Sequence, residues 1–152
     1  LELKRVRRIP RDLKHRAVED AVYTFLTEID LNADPVGTFN ETIKKIASST
    51  FLNTPGMDFW IAKDNGEVMA YVLANVTTAV DDRLTYYVQQ AWASPKLRHT
   101  DFSRRCWEKI KKRAESLHCS HIVMVSSRKG WLRYLRDGVH EYATLLKKDL
   151  EG

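Results

Sequence analysis

The chain has 152 residues, 30% of them charged and 43% hydrophobic, with a formal net charge of +5. That length suits a single domain over residues 1–152 with one full core, and the mix is that of an ordinary globular protein. Composition argues against a membrane protein, because no stretch approaches the roughly 20 apolar residues of a span. It argues equally against a leader, because Leu1-Glu-Leu-Lys-Arg5 has no apolar core.

The first residue is not Met, so a processed or trimmed chain is expected. The only cysteines, Cys106 and Cys119, stand in helix-like stretches with no His pair at ligand spacing. Free thiols in a reducing, cytoplasmic setting are expected, and no metal site is. The charge is uneven. Lys4, Arg5, Arg7, Arg8, Arg11, Lys14 and Arg16 open the chain, and Lys96, Arg98, Arg104, Arg105, Lys109, Lys111, Lys112 and Arg113 form a second cluster. Such clusters either form a solvated face or attract an anion: a phosphorylated cofactor, a nucleic acid or an acidic partner.

Leu1 to Ile9 reads as a first strand. Pro10 is expected to open a helix at a position where its fixed φ is tolerated. Leu13, Ala17, Ala21, Phe25 and Ile29 recur along that helix, and Val18, Val22 and Leu26 widen the stripe. Asn32-Ala-Asp-Pro35 stops it. Thr38 and Glu41 have capping-box spacing before a short second helix marked by Phe39, Ile43, Ile46 and Ala47. Phe59–Ala62 and Val68–Val76 flank Lys63-Asp-Asn-Gly66 and read as a hairpin. After a polar turn at Asp81-Asp82, Leu84–Ala93 is a further strand and Ser94–Asp101 a loop.

Phe102, Cys106, Trp107, Ile110, Ala114 and Leu117 then mark the apolar face of a long basic helix. His121–Val125 is continuously apolar after its first residue and is expected to be buried on both faces. Arg128–Asp137 reads as a fourth helix stopped by Gly138, and Val139–Leu150 as a last strand. Trp60, Trp92 and Trp107 read as core or groove-lining residues. Ser126 and Ser127 end a strand, where a turn role or a hydrogen bond to a ligand arm is expected.

This order resembles the GNAT superfamily of N-acetyltransferases over nearly the whole chain. Three features carry the resemblance. A hydrophobic strand leads into Pro95-Lys-Leu-Arg98 and a long helix. A short apolar strand follows that helix directly. Trp131-Leu-Arg-Tyr134-Leu-Arg-Asp-Gly138-Val139 precedes a closing strand. The resemblance implies an α/β (α+β) fold, with a mixed, mostly antiparallel central sheet and helices on both faces. It implies acetyl-CoA as acyl donor and an amine as acceptor. The thioester end would lie against Ala91, Trp92 and Ala93, with a backbone N–H near Gln90–Trp92 as oxyanion donor. The pyrophosphate would meet Arg98, His99, Thr100, Asp101, Phe102, Ser103 and Arg104 at the helix start. Ser126 would touch the arm, and Tyr134 would protonate the departing thiolate.

Two departures stand against that pattern. Asp101 occupies the central glycine position of the loop, where a carboxylate 4 Å from a phosphate is repelled by about 4 kcal/mol at an effective dielectric of 20. Asp101 or Thr100 is also a good N-cap for the helix. The strand that often carries a glutamate base carries Gln89 and Gln90 instead, leaving Asp81, Asp82, His99 and His121 as candidates by pattern alone. These departures motivate a second reading: a non-catalytic GNAT-fold binding or structural protein, phage-encoded or part of a larger assembly. A protein partner or a homo-oligomer through an exposed final strand is compatible with either. Nucleic-acid binding through the basic surface is a third reading, without a recognised motif behind it.

Overall fold

The structure, a computed structural model, describes residues 1–28, 35–78 and 82–124. The elements are β1 (Lys4–Val6), α1 (His15–Glu28), α2 (Pro35–Thr50), β2 (Met57–Asp64), β3 (Glu67–Thr78), β4 (Leu84–Ala93), α3 (Asp101–Ser116) and β5 (His121–Met124). The helix and strand expected over 128–150 lie outside the described residues, as do Ser126, Ser127, Trp131 and Tyr134.

The strands form one sheet in the order β1-β2-β3-β4-β5. The first three pairings are antiparallel and β4–β5 is parallel. Alternation along each strand separates two cores. On one face, Trp60, Ala62, Val72, Ala74, Tyr86 and Val88 pack under Phe102, Ile110 and Ala114 of α3. On the other, Phe59, Ile61, Tyr71 and Leu73 meet Val18, Ala21, Val22 and Leu26 of α1 and Ile46 of α2. The mostly antiparallel sheet with helices on both faces is therefore present.

The β2–β3 hairpin closes as its sequence demands: Asn65 and Gly66 adopt φ of 49° and 76°, the two left-handed positions of a tight turn. Other expectations need correction. β1 spans Lys4–Val6 only. Pro10 does not open α1. It starts a turn in which the Leu13 amide donates to the Pro10 carbonyl at 3.0 Å, and Lys63 anchors Asp12 in that turn. Leu13 is buried ahead of the helix, which begins at His15. The Thr38–Glu41 capping box does not exist, because α2 starts at Pro35 and places Thr38 inside it; Glu41 pairs with Lys44 at 3.3 Å. Nor is α2 short, since it runs 16 residues. β5 is not buried on both faces: His121 is exposed and Ile122–Met124 are half-buried. Within the described sheet β5 is a terminal strand, with β4 on one side only.

One polar cluster crosses the apolar face under α3. Asp58 of β2 is 4% exposed. It accepts from Arg113 Nε at 2.9 Å, Arg113 Nη2 at 3.1 Å and the Tyr86 hydroxyl at 2.7 Å. Trp60 Nε1 donates to the Tyr86 oxygen at 3.1 Å, and Arg5 stands 3.7 Å from the same carboxylate. A buried carboxylate is tolerated only when its charge and lone pairs are met. Arg113→Ala strands Asp58, so we expect a loss of about 3 kcal/mol. Urea unfolding measures it as a lower midpoint at unchanged slope; a wild-type midpoint shows that the pair does not hold α3.

Candidate functional site

The site begins with an irregularity in β4. Leu73 pairs with Gln90 and Ala74 with Val88, so Gln89 is an extra residue in β4. Such a bulge disturbs strict alternation and re-aims side chains. Tyr86 and Val88 face α3, and beyond the bulge Ala91 and Ala93 face it as well. Gln89 and Gln90, adjacent in sequence, both point to the α1/α2 face. Gln89 accepts from Lys45 Nζ at 2.9 Å and donates to Asn75. Gln90 donates to Thr42 at 2.7 Å and accepts from the Tyr71 hydroxyl at 2.8 Å.

On the α3 face, the shifted strand leaves an apolar cavity of about 60 Å³. Ala91, Trp92 and Ala93 of β4, Phe102 and Ser103 of α3, and Met124 of β5 are among its walls. The last described β4–β5 pair is Val88 with Met124, and β4 continues five residues beyond it. Five of the residues singled out from the sequence are thus brought to one cavity. The Trp92 ring itself lies on the opposite face, 6.2 Å from Tyr71, and its Nε1 is buried without a partner among the described residues. Trp60 is core, and Trp107 lines the cavity.

The loop into α3 departs from simple expectation. A single 3-10 turn at Pro95–Leu97 follows β4. Arg98 donates through Nε to the Ala93 carbonyl at 2.9 Å and pairs with Glu28 at the end of α1. Its guanidinium therefore ties the loop to α1. His99 is exposed and takes the left-handed φ of 63°. Thr100 is the N-cap, its hydroxyl accepting from the Phe102 amide at 3.3 Å. Asp101 is not a strained substitute for glycine, because it sits in the helix's first turn. Its carboxylate points back along the exposed helix surface to Arg104 at 2.7 Å and Arg105 at 3.4 Å. Arg105 also lies over the Phe102 ring, 5.8 Å from its centre.

The other face of β4 carries an open polar hollow of about 560 Å³, lined by Lys45, Asn75, Thr77, Tyr87, Gln89 and Gln90. Sequence reading missed this hollow. The available signal was a change of parity, from apolar positions 86 and 88 to small apolar positions 91 and 93. None of the described base candidates lines it. Asp82 lies before β4 and His121 opens β5, at the end of the strand pair away from the cavity. Asp81, Ser126 and Tyr134 lie outside the described residues.

A mostly antiparallel sheet whose last described pair turns parallel, with a helix start and an apolar cavity beside that pair, is the mixed α/β fold class expected above. The chain belongs to the acetyltransferase (GNAT) family, whose model matches residues 18–134. No curated relative matches it. Among solved structures, it is similar to a transcriptional regulator from Bacillus halodurans C-125, with TM-score 0.68 and 13% identity over 97% of this chain and 98% of that one. It is similar to a predicted acetyltransferase with acetyl-CoA from Clostridium acetobutylicum, with TM-score 0.66 and 13% identity over 97% and 95%. A glucosamine-6-phosphate N-acetyltransferase from Arabidopsis thaliana gives TM-score 0.62 and 11% identity over 99% and 100%. At these identities the likeness is one of fold.

Cys106 lies on the cavity wall, and burial pushes its thiol up to about 11 against the partial pull of Lys109 and Arg105. The native thiol keeps its proton to higher pH than the unfolded one. Its contribution to stability is therefore intact below 9.0 and falls as pH rises toward about 11. In a Cys119→Ser background at pH 8, we expect iodoacetamide to modify Cys106 at least about tenfold more slowly than an unstructured cysteine peptide. Equal rates show that the cavity is open to solvent.

Proposed function

We propose that this chain is an acetyl-CoA-dependent N-acetyltransferase acting on the amine of a small polar acceptor. The observation that carries the reading is that Gln89–Ala93 separate an apolar cavity at the start of α3 from a polar hollow on the opposite face. The residues fit the donor in chemical character. Alanine walls suit an acyl chain and its pantetheine arm. The first turn of α3, carrying Arg104 and Arg105 against one Asp101, suits phosphates. Acetyl-CoA, when bound, supplies the activated acetyl thioester.

The chain's residues then have separable tasks. β4 amides beyond the last described β5 pair take the role of donors to the thioester carbonyl oxygen, where charge develops during transfer. Lys45, Asn75 and Gln89 orient the acceptor by hydrogen bonds, and the Lys45 ammonium favours hydroxyl or anionic groups next to the reacting amine. No carboxylate or histidine lines the hollow among the described residues, so we assign the amine's proton to water rather than to a side chain. Tyr134 gives its proton to the leaving thiolate. Free thiols at Cys106 and Cys119 support a cytoplasmic setting.

One observation favours a non-catalytic role: Arg98, expected on the pyrophosphate, is engaged by Glu28. Ligand binding separates the readings. Acetyl-CoA at 100 times its dissociation constant stabilises a native state that alone binds it by about 2.7 kcal/mol, so the melting temperature rises. Neither a shift nor calorimetric heat at millimolar acetyl-CoA removes the transferase reading and leaves the non-catalytic one. Tyr134→Phe is expected to keep the thermal shift while lowering kcat on the order of 10²-fold; an unchanged kcat removes Tyr134 from proton transfer.

A further inference from the structure

The excess charge is confined to one segment. Residues 1–16 hold Lys4, Arg5, Arg7, Arg8, Arg11, Lys14 and Arg16 against Glu2 and Asp12, which is the whole net charge of +5; residues 17–152 balance. Both acids are engaged by cations from elsewhere, Glu2 by Lys109 and Asp12 by Lys63. Arg5 turns inward toward Asp58. Lys4, Arg7, Arg8, Arg11, Lys14 and Arg16 are exposed, and none has a carboxylate partner among the described residues.

The backbone presenting these cations is anchored. Leu3 and Leu13 are buried. Lys109 donates to the Leu3 carbonyl at 2.7 Å and Arg105 to the Leu1 carbonyl at 3.3 Å. The segment includes β1, at the edge of the described sheet opposite β5, and turns at Pro10–Leu13 into α1. At that point His15, next to Lys14 and Arg16, stacks on Phe51 with ring centres 6.0 Å apart and planes 16° apart. Phe51 is 67% exposed. A segment rich in exposed cations, anchored at Leu3 and Leu13 and leading to an exposed aromatic ring, meets the two needs of a single strand: cations neutralise phosphates and a ring stacks on a base.

We infer that this edge binds single-stranded nucleic acid through its phosphates, with one base stacked at Phe51, independently of the acyl-transfer reading. The same cations attract an anionic membrane. The exposed apolar side chains near them, however, come from separate elements and not from one helix face: Leu1 at the start of the segment, Tyr23 on α1, and Phe51 and Leu52 after α2. The exposed side of α1 also carries Glu19 and Asp20, unlike the basic polar face of a membrane-surface helix.

Fluorescence anisotropy with a labelled oligouridine of about 12 nucleotides tests the inference. If all six cations engage phosphates, log affinity falls against log salt with a slope of about −4. Arg7→Ala with Arg8→Ala makes the slope shallower by about 1.4. Phe51→Ala weakens binding about fivefold or more without changing the slope. Arg11→Ala with Lys14→Ala repeats the slope test at other positions, and unchanged melting temperatures verify that the variants fold. Three results overturn the inference: no binding at about 20 mM salt, where the phosphate contribution is strongest; a slope indifferent to both double variants; or binding to phosphatidylserine vesicles without binding to the oligonucleotide.

Discussion

Both halves of the candidate site depend on β4 changing which of its alternate positions face α3. Tyr86 and Val88 belong to the core beneath α3, and a regular strand would continue that face through Gln90 and Trp92. The extra residue at Gln89 places Ala91 and Ala93 there instead. Small side chains then line the space beside Phe102, where an indole and an amide would have filled it. The same shift puts Gln89 and Gln90 side by side on the other face, within reach of α2 through Lys45 and Thr42. Cavity and hollow are two consequences of one inserted residue.

That geometry serves only if α3 is held at a fixed height over the sheet. Apolar packing of Phe102, Ile110 and Ala114 supplies attraction without direction. Direction comes from Asp58, whose two oxygens receive the Arg113 guanidinium as a fork. Tyr86 completes the carboxylate from β4, so β2, β4 and α3 meet at one buried charge. Cys106 and Phe102 lie two and three turns up the helix from Arg113, so the pair that fixes one end of α3 also sets the depth of the cavity at the other.

The order of elements along the chain, the β2–β3 turn and the long third helix were legible in the sequence because each has a local cause. Asn65-Gly66 accepts left-handed φ, and Phe102, Ile110 and Ala114 share a helical face. The limits of the first helix were not legible, because Pro10 is as good in a turn as at a helix start. The turn won through Leu13, whose burial requires the chain to bend before His15. The fit of Thr38 and Glu41 to a capping pattern was outweighed by Pro35, three residues earlier and already suited to a first helical position. At the site, the strand and loop contributing Ala91–Ala93, Phe102 and Ser103 were legible. The bulge was not, because its cause is a register shift against Leu73 and Ala74 on another strand. The family resemblance implies a phosphate role for Arg98; its bond to Glu28 depends on where α1 ends, a tertiary fact.

Asp101 is the residue whose consequence changes most between sequence and structure. As a carboxylate aimed at the anion site it would oppose phosphate by about 4 kcal/mol at close range. Thr100 has taken the capping role, so the Asp101 carboxylate has no reason to turn inward and bonds Arg104 and Arg105 on the outer surface instead. Exposed helical pairs of this kind are worth only about 0.3–0.5 kcal/mol each. A phosphate beside the first turn gains a contribution of about 0.3–1 kcal/mol from the helix dipole and adds charge-assisted bonds to whichever arginine it draws away. The pairs that hold Asp101 outward are thus weak enough for Arg104 or Arg105 to be shared with an incoming phosphate. On the proposed reading, Asp101 in place of glycine would weaken an anion site at this helix start without closing it. The stronger restraint is Arg98, whose half-buried pairing with Glu28 couples the loop to the end of α1.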